Sequence, residues 1–578
     1  MDLPERRVSL QFMLPVYSAA FGPVDLDDEA FNQDLQEYAG QPEKYFQVIL
    51  EAIRHLNHCD MKPALRGELN DDLLSLFYPA AMQQLAKHAK TGGVPESEAR
   101  RTILRRIVDI AQILIVSHQV IFVGHYQGSN YHYVHNHGAV LQSVARILEL
   151  FLLKQQARAL RYQELQATDW EVINTLFYVM YHYDDVDDLL PTLKQALELG
   201  RDNHDITLLE RFILLHAVAR FDVLRWPTHI QWVIASYVRS VEAPVQVRVD
   251  DGRNLGKNEL LVYCNGQRPA STQRLSHPPG DALVLDARNL MDAVRKDCMG
   301  VLRAQSRQDI EKIPRFARLP EDEHFVIFDQ LVRGLSHQAD HAHVHTPQPM
   351  NDLRIFVGFA DVFNLLSHRQ SMFAAEDRLD DLLARRSAKI AEDHLATDKT
   401  VWSLISQTEN TVRLSTQETE FTTELRIGSL LACGLGDNIN RPVLAVVIRV
   451  HRPQSKTVEV DLQRLASYAE PVMFSMNQAL DKTVPGDMRK SALLVYDHKY
   501  PGQWHLIFPP RDVVMAVDKL ALHRNAQAIP MPLTAMRLAT NDVYCFTTGL
   551  TSEQLGVSGE PDYPTPPSQA HHSAGWLL

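Results

Sequence analysis

Between Lys399 and Phe474 the chain repeats one local pattern, in which short runs rich in Val, Ile, Thr and Leu are each closed by a cluster of turn-forming residues. The runs around Trp402, Val412, Val446-Val-Ile-Arg449 and Val458-Glu-Val-Asp-Leu are separated by clusters such as Gly434-Leu-Gly436-Asp-Asn and Arg452-Pro-Gln-Ser. β-branched residues favour the pleated backbone, while Gly, Pro, Asn and Ser reverse it. Several such runs close together confine this stretch to an antiparallel barrel or sandwich.

The first half carries the opposite signal. From about Gln41 to Leu160 apolar residues recur at helical spacing, as in Tyr45-Phe-Gln-Val-Ile-Leu-Glu-Ala-Ile-Arg-His-Leu, and the run Ile110-Ala-Gln-Ile-Leu-Ile-Val predicts a helix buried on most sides. The pattern continues through Val140 to Leu153, through Trp170 to Tyr181, where Asp169 is a candidate cap, and through Leu208 to Val238. Either a helical bundle or an α-solenoid satisfies it. From Pro244 the period shortens to two. Val245-Gln-Val-Arg-Val-Asp, a turn at Asp251-Gly252 and Leu260-Leu-Val-Tyr-Cys read as a hairpin, with helices expected over Asp286 to Gln308 and Glu323 to Leu335. A strand at Leu353-Arg-Ile-Phe-Val is expected to open the β-module, after which Ala375 to Lys399 is a charged excursion of helical composition. Beyond Phe474 come strand candidates at Ser491, Trp504, Val513 and Val543, then a Pro-rich tail. The expected fold is thus α+β and multidomain: helical over 1–240, a mixed connecting segment over 241–350, a barrel over 351–475, a small β-extension over 476–551 and a disordered tail over 552–578. A chain of 578 residues is long enough for two to four such domains.

The order Trp402, polar turn, strand, Arg426-Ile-Gly428, strand, Val446-Val-Ile-Arg449, hairpin and Val458-Glu-Val-Asp-Leu resembles the bacterial PilZ family, whose barrels bind cyclic di-GMP. The full layout is similar to large PilZ-like proteins with a helical N-terminal region. The resemblance implies two ligand motifs. The first is an Arg-x-x-x-Arg segment ahead of the barrel, because planar guanidinium groups bridge phosphates and stack on guanine. The second is a strand motif of Asp or Asn, then x-Ser-x-x-Gly, which supplies polar partners and close approach. Aligned with the second, Ser406-Gln-Thr408-Glu-Asn-Thr411 keeps a hydroxyl at Thr408 but has Ser406 for the acid or amide and Thr411 for the glycine. No spaced arginine pair precedes Leu353, which leaves Arg354 as the candidate phosphate contact. Arg385-Arg-Ser-Ala-Lys389 carries suitable charge, although an exposed helix face explains it as well.

A formal net charge of −13 argues against non-specific binding to nucleic acid or anionic membrane. No signal-peptide core and no membrane-spanning run is read from the sequence, so a cytoplasmic location is expected. Five cysteines stand singly, without C-x-x-C pairs, and are expected to be buried thiols. His341, His343 and His345 alternate, so a strand would project them from one face, a spacing suited to a transition metal; His125, His132, His135 and His137 form a second group. Tyr126 to Tyr133 carries aromatic residues able to stack a ligand or to cover helix ends. The cluster Asp184-Asp-Val-Asp187-Asp188 lacks the glycine and distal glutamate of an EF-hand. Phosphate-loop, dinucleotide-fold, nucleophile-elbow and H-E-x-x-H motifs do not occur in the sequence. The leading expectation is a non-catalytic effector of the cyclic di-GMP type with a degenerate ligand motif and no cofactor. The alternatives are a nucleotide-independent scaffold that binds protein partners through its helical half, and a metal-dependent enzyme built on His341, His343 and His345.

Overall fold

A computed structural model describes residues 29–303, 343–375 and 401–557, less short internal gaps of which the longest are 91–97, 191–205, 476–488 and 511–519. The chain divides into two compact units, Met1–Gln338 and Ala339–Leu578. The architecture is mixed α+β, helical in the first unit and built from curled antiparallel sheets in the second.

In the first unit, α2 (Pro42–His58), α3 (Pro63–Lys90), α4 (Glu98–His125) and α5 (Asn130–Ala159) follow a short α1 (Glu29–Glu37). After them come α6 (Ala167–His182), α7 (Leu208–Arg220), α8 (Thr228–Ser240) and α9 (Arg288–Arg303). Their apolar stripes meet in one core that includes Phe46, Phe77, Leu114, Phe151, Phe177 and Phe212. Phe177 and Phe212 stack at 3.8 Å between centroids. By length and composition α4 could cross a membrane, but 61% of its most apolar window is buried in the protein, where it packs on α2, α3 and α5. The absence of any spanning run expected from the sequence is corrected to that extent.

Helix α5 carries unusual polarity for a core element. Glu149 accepts from Arg211 at 2.7 Å and from Arg146 at 3.1 Å, and Arg146 also reaches Asp71 at 3.3 Å. One turn further on, Lys154 donates to Asp169 at 2.7 Å and to Gln112 at 2.5 Å. The cap expected at Asp169 is corrected: Gln166 precedes α6 as its cap, and Asp169 inside the first turn accepts the Gln166 amide with its other oxygen at 3.0 Å. Arg211 donates also to the carbonyls of Ile206 and Leu190, which belong to the two-stranded pair β1 (Leu189–Leu190) and β2 (Ile206–Thr207). Wholly buried Arg66 closes the end of α2 by donating to the carbonyls of Leu56 at 2.9 Å and Cys59 at 2.6 Å.

The expected hairpin between 245 and 264 is corrected. Strands β3 (Gln246–Val249) and β4 (Glu259–Tyr263) do not pair with one another; β5 (Ala282–Asp286) lies between them, antiparallel to both. Leu283, Val284 and Leu285 are the most apolar stretch of the three strands and take its central, doubly covered position. This sheet is not a separate connector, since Val245, Val262, Leu283 and Leu285 join the helical core. Helix α9 matches the expected helix after Asp286, whereas the one expected over Glu323 to Leu335 lies outside the described residues.

The second unit holds two seven-stranded antiparallel sheets. The first has the order β6-β8-β9-β12-β11-β10-β7, formed by β6 (His343–Met350), β7 (Leu353–Val357), β8 (Trp402–Gln407), β9 (Thr411–Gln417), β10 (Leu430–Leu435), β11 (Val443–His451) and β12 (Thr457–Ala466). The second has the order β17-β16-β13-β14-β15-β19-β18, from β13 (Tyr468–Ser475), β14 (Lys490–Tyr496), β15 (Trp504–Phe508), β16 (Leu520–Arg524), β17 (Gln527–Met531), β18 (Leu533–Ala539) and β19 (Tyr544–Thr548). Three expectations change. The β-module opens at β6 rather than at Leu353; β13 belongs to the second sheet, so the division expected at 475 falls at Ser467; and the small extension is a sheet as wide as the first. The tail is ordered through 557, with Leu555 buried in the second core; the strand expected at Val513 lies outside the described residues.

Helix α10 (Phe359–Ala375) joins these sheets. Its Phe359, Val362, Leu365 and Leu366 pack with Leu430, Ala432 and Leu444 of the first sheet and with Leu493, Val495 and Ile507 of the second. Alternation on β14 then divides its side chains between two cores: Leu493 and Val495 face α10, while Ala492, Leu494 and Tyr496 face a core with Trp504, Leu506 and Phe508. Burial on both faces explains why this strand reads as a continuous apolar run.

Two substitutions test these supports. Glu149→Ala strands Arg146 and Arg211 in the core and is expected to destabilise the first unit by about 3–5 kcal/mol, read as a lowered midpoint in urea unfolding followed by far-ultraviolet circular dichroism. Gly428 adopts φ +88°, and a Cβ there would lie 2.8 Å from Thr540 Cβ. Gly428→Ala should therefore cost roughly 2 kcal/mol or more in the same measurement, through the second unit.

Candidate functional site

The positions nominated by sequence fall on different parts of the first sheet. Ser406 ends the alternating inward row of β8, below Trp402 and Leu404, and is buried. Arg354 sits on β7, exposed between buried Leu353 and Ile355. β7 is one edge of the sheet and β8 is next to the other edge, with β9, β12, β11 and β10 between them. The structure does not bring Arg354 to the Ser406 strand through neighbouring pairing.

Thr408 and Thr411 have an evident local task. The Thr408 hydroxyl accepts the amides of Thr411 at 2.9 Å and Asn410 at 3.3 Å, and lies 2.7 Å from the Thr411 hydroxyl. The Thr408 amide donates to the Thr411 carbonyl at 2.7 Å. These bonds form the tight connection between β8 and β9, the usual use of a hydroxyl residue at a chain reversal. The groups that the alignment offers to a nucleotide already satisfy one another. Asn410 in turn accepts from the Arg464 amide at 2.9 Å, tying the turn to β12.

Arg426-Ile-Gly428 also has a structural role. The Gly428 carbonyl accepts from the Thr540 hydroxyl at 2.8 Å, and Asp542 accepts the Leu430 amide at 2.8 Å. The turn thereby latches the first sheet to the β18–β19 connection. Burial raises the Asp542 carboxyl above its ordinary range, against the lowering effect of that amide.

Of the histidines, His341 lies outside the described residues, as do the side chains of His132 and His135 in α5 and of His343 and His345 in β6. Residues 126–129 of the aromatic stretch, the side chains of Tyr131 and Tyr133 in α5, the basic group at Arg385 and most of the acidic cluster at Asp184 are likewise outside them. Among the described residues no group of three or more His, Cys, Asp or Glu is arranged to hold a metal ion. Cys59, Cys264, Cys433 and Cys545 are buried free thiols, and burial pushes Cys433 and Cys545 up to about 12.

Three features escaped the sequence. Ser475 Oγ and His523 Nε2 are 2.9 Å apart, a separation suited to a nucleophile and its base. However, the hydroxyl belongs to a residue only 1% exposed, and burial together with Arg489 lowers the imidazole. The pair is a cross-strand bond between β13 and β16. His118 and His216 are fully enclosed in the helical core and pushed down to about 3, His118 by burial and then Arg146, His216 by burial alone. Among the described residues neither ring nitrogen of His118 has a partner, while the Nδ1 of His216 accepts the Ala270 amide at 2.9 Å. Only tertiary packing sets these two, like buried His88 and His505, apart from the exposed histidines.

The third feature is a surface of the first unit. Arg274 pairs with Asp250 and donates to the Arg253 carbonyl at 2.5 Å, while Arg248 pairs with Asp251 and Glu259, each at 3.2 Å. Arg253 also pairs with Asp251 and, with Arg248, holds its carboxyl well below the usual range. This network fixes two segments whose Val249 and Leu275 are 49% and 41% exposed. The result is two exposed apolar residues on segments joined by the Arg274–Asp250 pair. Comparison with protein-family models, with curated proteins and with solved structures finds no match to this chain.

Two outcomes follow. Thr408→Val removes the acceptor that closes the β8–β9 turn and should destabilise the second unit by about 1–2 kcal/mol, measurable by differential scanning calorimetry. A histidine held neutral when folded but titrating near 6.5 when unfolded contributes stability that is complete above pH 6.5 and lost as pH falls toward its folded value. Between pH 7.5 and 5.0 that loss is about 2 kcal/mol for each such histidine. His118→Met should flatten the pH dependence of urea unfolding by about that amount, whereas an unchanged slope would mean that His118 is charged in the fold.

Proposed function

We propose that this chain is a non-catalytic scaffold that recognises a protein partner through its helical unit, with a PilZ-like β-module that contributes structure rather than a nucleotide site. The observation carrying the reading is the exposure of Val249 and Leu275 on two segments that Arg248, Asp250, Asp251, Arg253 and Arg274 hold by ion pairs. An apolar centre surrounded by preorganised charge is the composition of a protein-recognition surface, where the apolar groups supply affinity and the oriented charges select the partner.

The commitment of Thr408 and Thr411 to their own turn, together with the burial of Ser406, supports a nucleotide-independent module. A cyclic di-GMP effector would need Arg354 and Thr408 to contact one ligand, and four strands of the sheet order separate β7 from β8.

Calorimetric titration of cyclic di-GMP into the full chain is expected to give no heat at micromolar protein, and excess nucleotide should leave the melting temperature unchanged. Micromolar binding weakened by both Arg354→Ala and Thr408→Ala would instead establish an effector. The partner surface is tested by cross-linking the full chain in its host cells: cross-links should concentrate around residues 246–275 and fall several-fold in Val249→Asp/Leu275→Asp. An unaltered cross-link map in the folded double variant would place recognition elsewhere.

A further inference from the structure

Near the C-terminal end of α5, where α7 and α8 pack against it, the helical unit keeps a small cleft walled by Leu152, Gln156, Val218, Gln231 and Trp232. The centre of a water molecule has about 10 Å³ to move in there, and the wall presents polar as well as apolar atoms. That is room for about one water.

Two consecutive glutamines of α5 meet different surroundings. Gln155 donates to the Leu215 carbonyl of α7 at 3.1 Å, a direct bond between neighbouring helices. Gln156 is 6% exposed, and neither its Oε1 nor its Nε2 meets a hydrogen-bonding group among the described residues. On α8, Gln231 is 3% exposed. Its Nε2 donates to the Trp226 carbonyl at 2.9 Å, which leaves its Oε1 buried and unmet. An amide enclosed in a core with both ends unpaired is less stable there than an apolar side chain of the same shape. The wall of one cleft thus carries three unmet atoms, two acceptors and one donor.

We propose that one water molecule is an integral part of this core, accepting from Gln156 Nε2 and donating one proton to Gln156 Oε1 and the other to Gln231 Oε1. Two acceptors and one donor are what the two protons and a lone pair of a water satisfy, and buried waters typically make about three such bonds. A primary amide presents N–H and C=O side by side, so one water can bridge both. Through Gln231 the connection continues to the Trp226 carbonyl at the entry to α8. Helix α5 then holds α7 by a direct bond from Gln155 and α8 by a hydrated one from Gln156.

A crystal structure of the full chain, at a resolution that shows ordered solvent, is expected to place a water oxygen about 2.7–3.2 Å from Gln156 Oε1, Gln156 Nε2 and Gln231 Oε1. Gln156→Met keeps the length of the side chain and removes both polar ends. With the water in place, this substitution breaks its bonds and leaves Gln231 unmet, so the unfolding constant of the helical unit in urea should rise about fivefold. Oxygen-17 relaxation dispersion should count one fewer long-lived water in the variant. Gln156→Met/Gln231→Met should cost less than the two single substitutions together, because either one already releases the water. A cleft that shows no water in the crystal overturns the proposal. So does a folded Gln156→Met as stable as the parent or more so, the outcome of simply removing two unmet groups, or one with an unchanged count of long-lived waters.

Discussion

Buried charge on α5 constrains the helical unit more than any other interaction. A core helix that carries Arg146, Glu149 and Lys154 inward can be stable only if each charge meets a partner inside, because desolvation of an unpaired ion exceeds what packing returns. The partners come from four other places: Asp71 on α3, Gln112 on α4, Asp169 on α6 and Arg211 on α7. Apolar contacts tolerate sliding by a fraction of a turn, whereas these bonds do not. They fix the register of the helices that carry them, and through the Arg211 bonds to Ile206 and Leu190 they also fix the entry to α7.

That fixed entry matters for the surface and the cleft of this unit. Helix α7 supplies Val218 to the cleft, and the three-stranded sheet is held to the helices by Asn174, whose amide donates to the Gly266 carbonyl at 2.7 Å, and by Thr175, which donates to the Cys264 carbonyl at 2.9 Å. Tyr178 adds a bond to Asp281 at 2.8 Å. Three polar contacts from α6 place the sheet, and the sheet places the exposed segment at Val249. In the second unit α10 has the corresponding role: two curled sheets share it as a common core element, and Gly428 permits the close contact with Thr540 that latches them.

Much of the fold was legible in the sequence, for a physical reason in each case. The helices over 42–58, 98–125, 208–220 and 228–240 show the 3.6-residue recurrence of an element with one buried face. The alternation of Trp402, Leu404 and Ser406 or of Val412, Leu414 and Thr416 shows the period of a strand with one face inward. The hairpin expected at 245–264 failed because sequence adjacency favours the shorter loop, while β5, with more apolar surface to bury, took the centre of the sheet. The boundary at Phe474 failed because β12 and β13 are separated by a single residue yet enter different sheets, and no turn cluster marks the change. The ligand motif was legible only as residue types: a hydroxyl that binds a nucleotide and one that closes a turn are the same letter.

By itself the sequence determined the local periods, the division between helical and strand-forming halves and the buried character of the four described thiols, since each depends on residues within a few positions of one another or on composition. Only the tertiary structure decided which charges on α5 are paired, which histidines are sealed from water, where β13 belongs, and that the segments of Val249 and Leu275 are tied by Asp250 and Arg274. Those outcomes depend on contacts between residues far apart in the chain, as with Glu149 and Arg211 or Asp250 and Arg274. Burial and pairing set the chemistry of an ionisable group, and both are properties of the assembled core rather than of the residue.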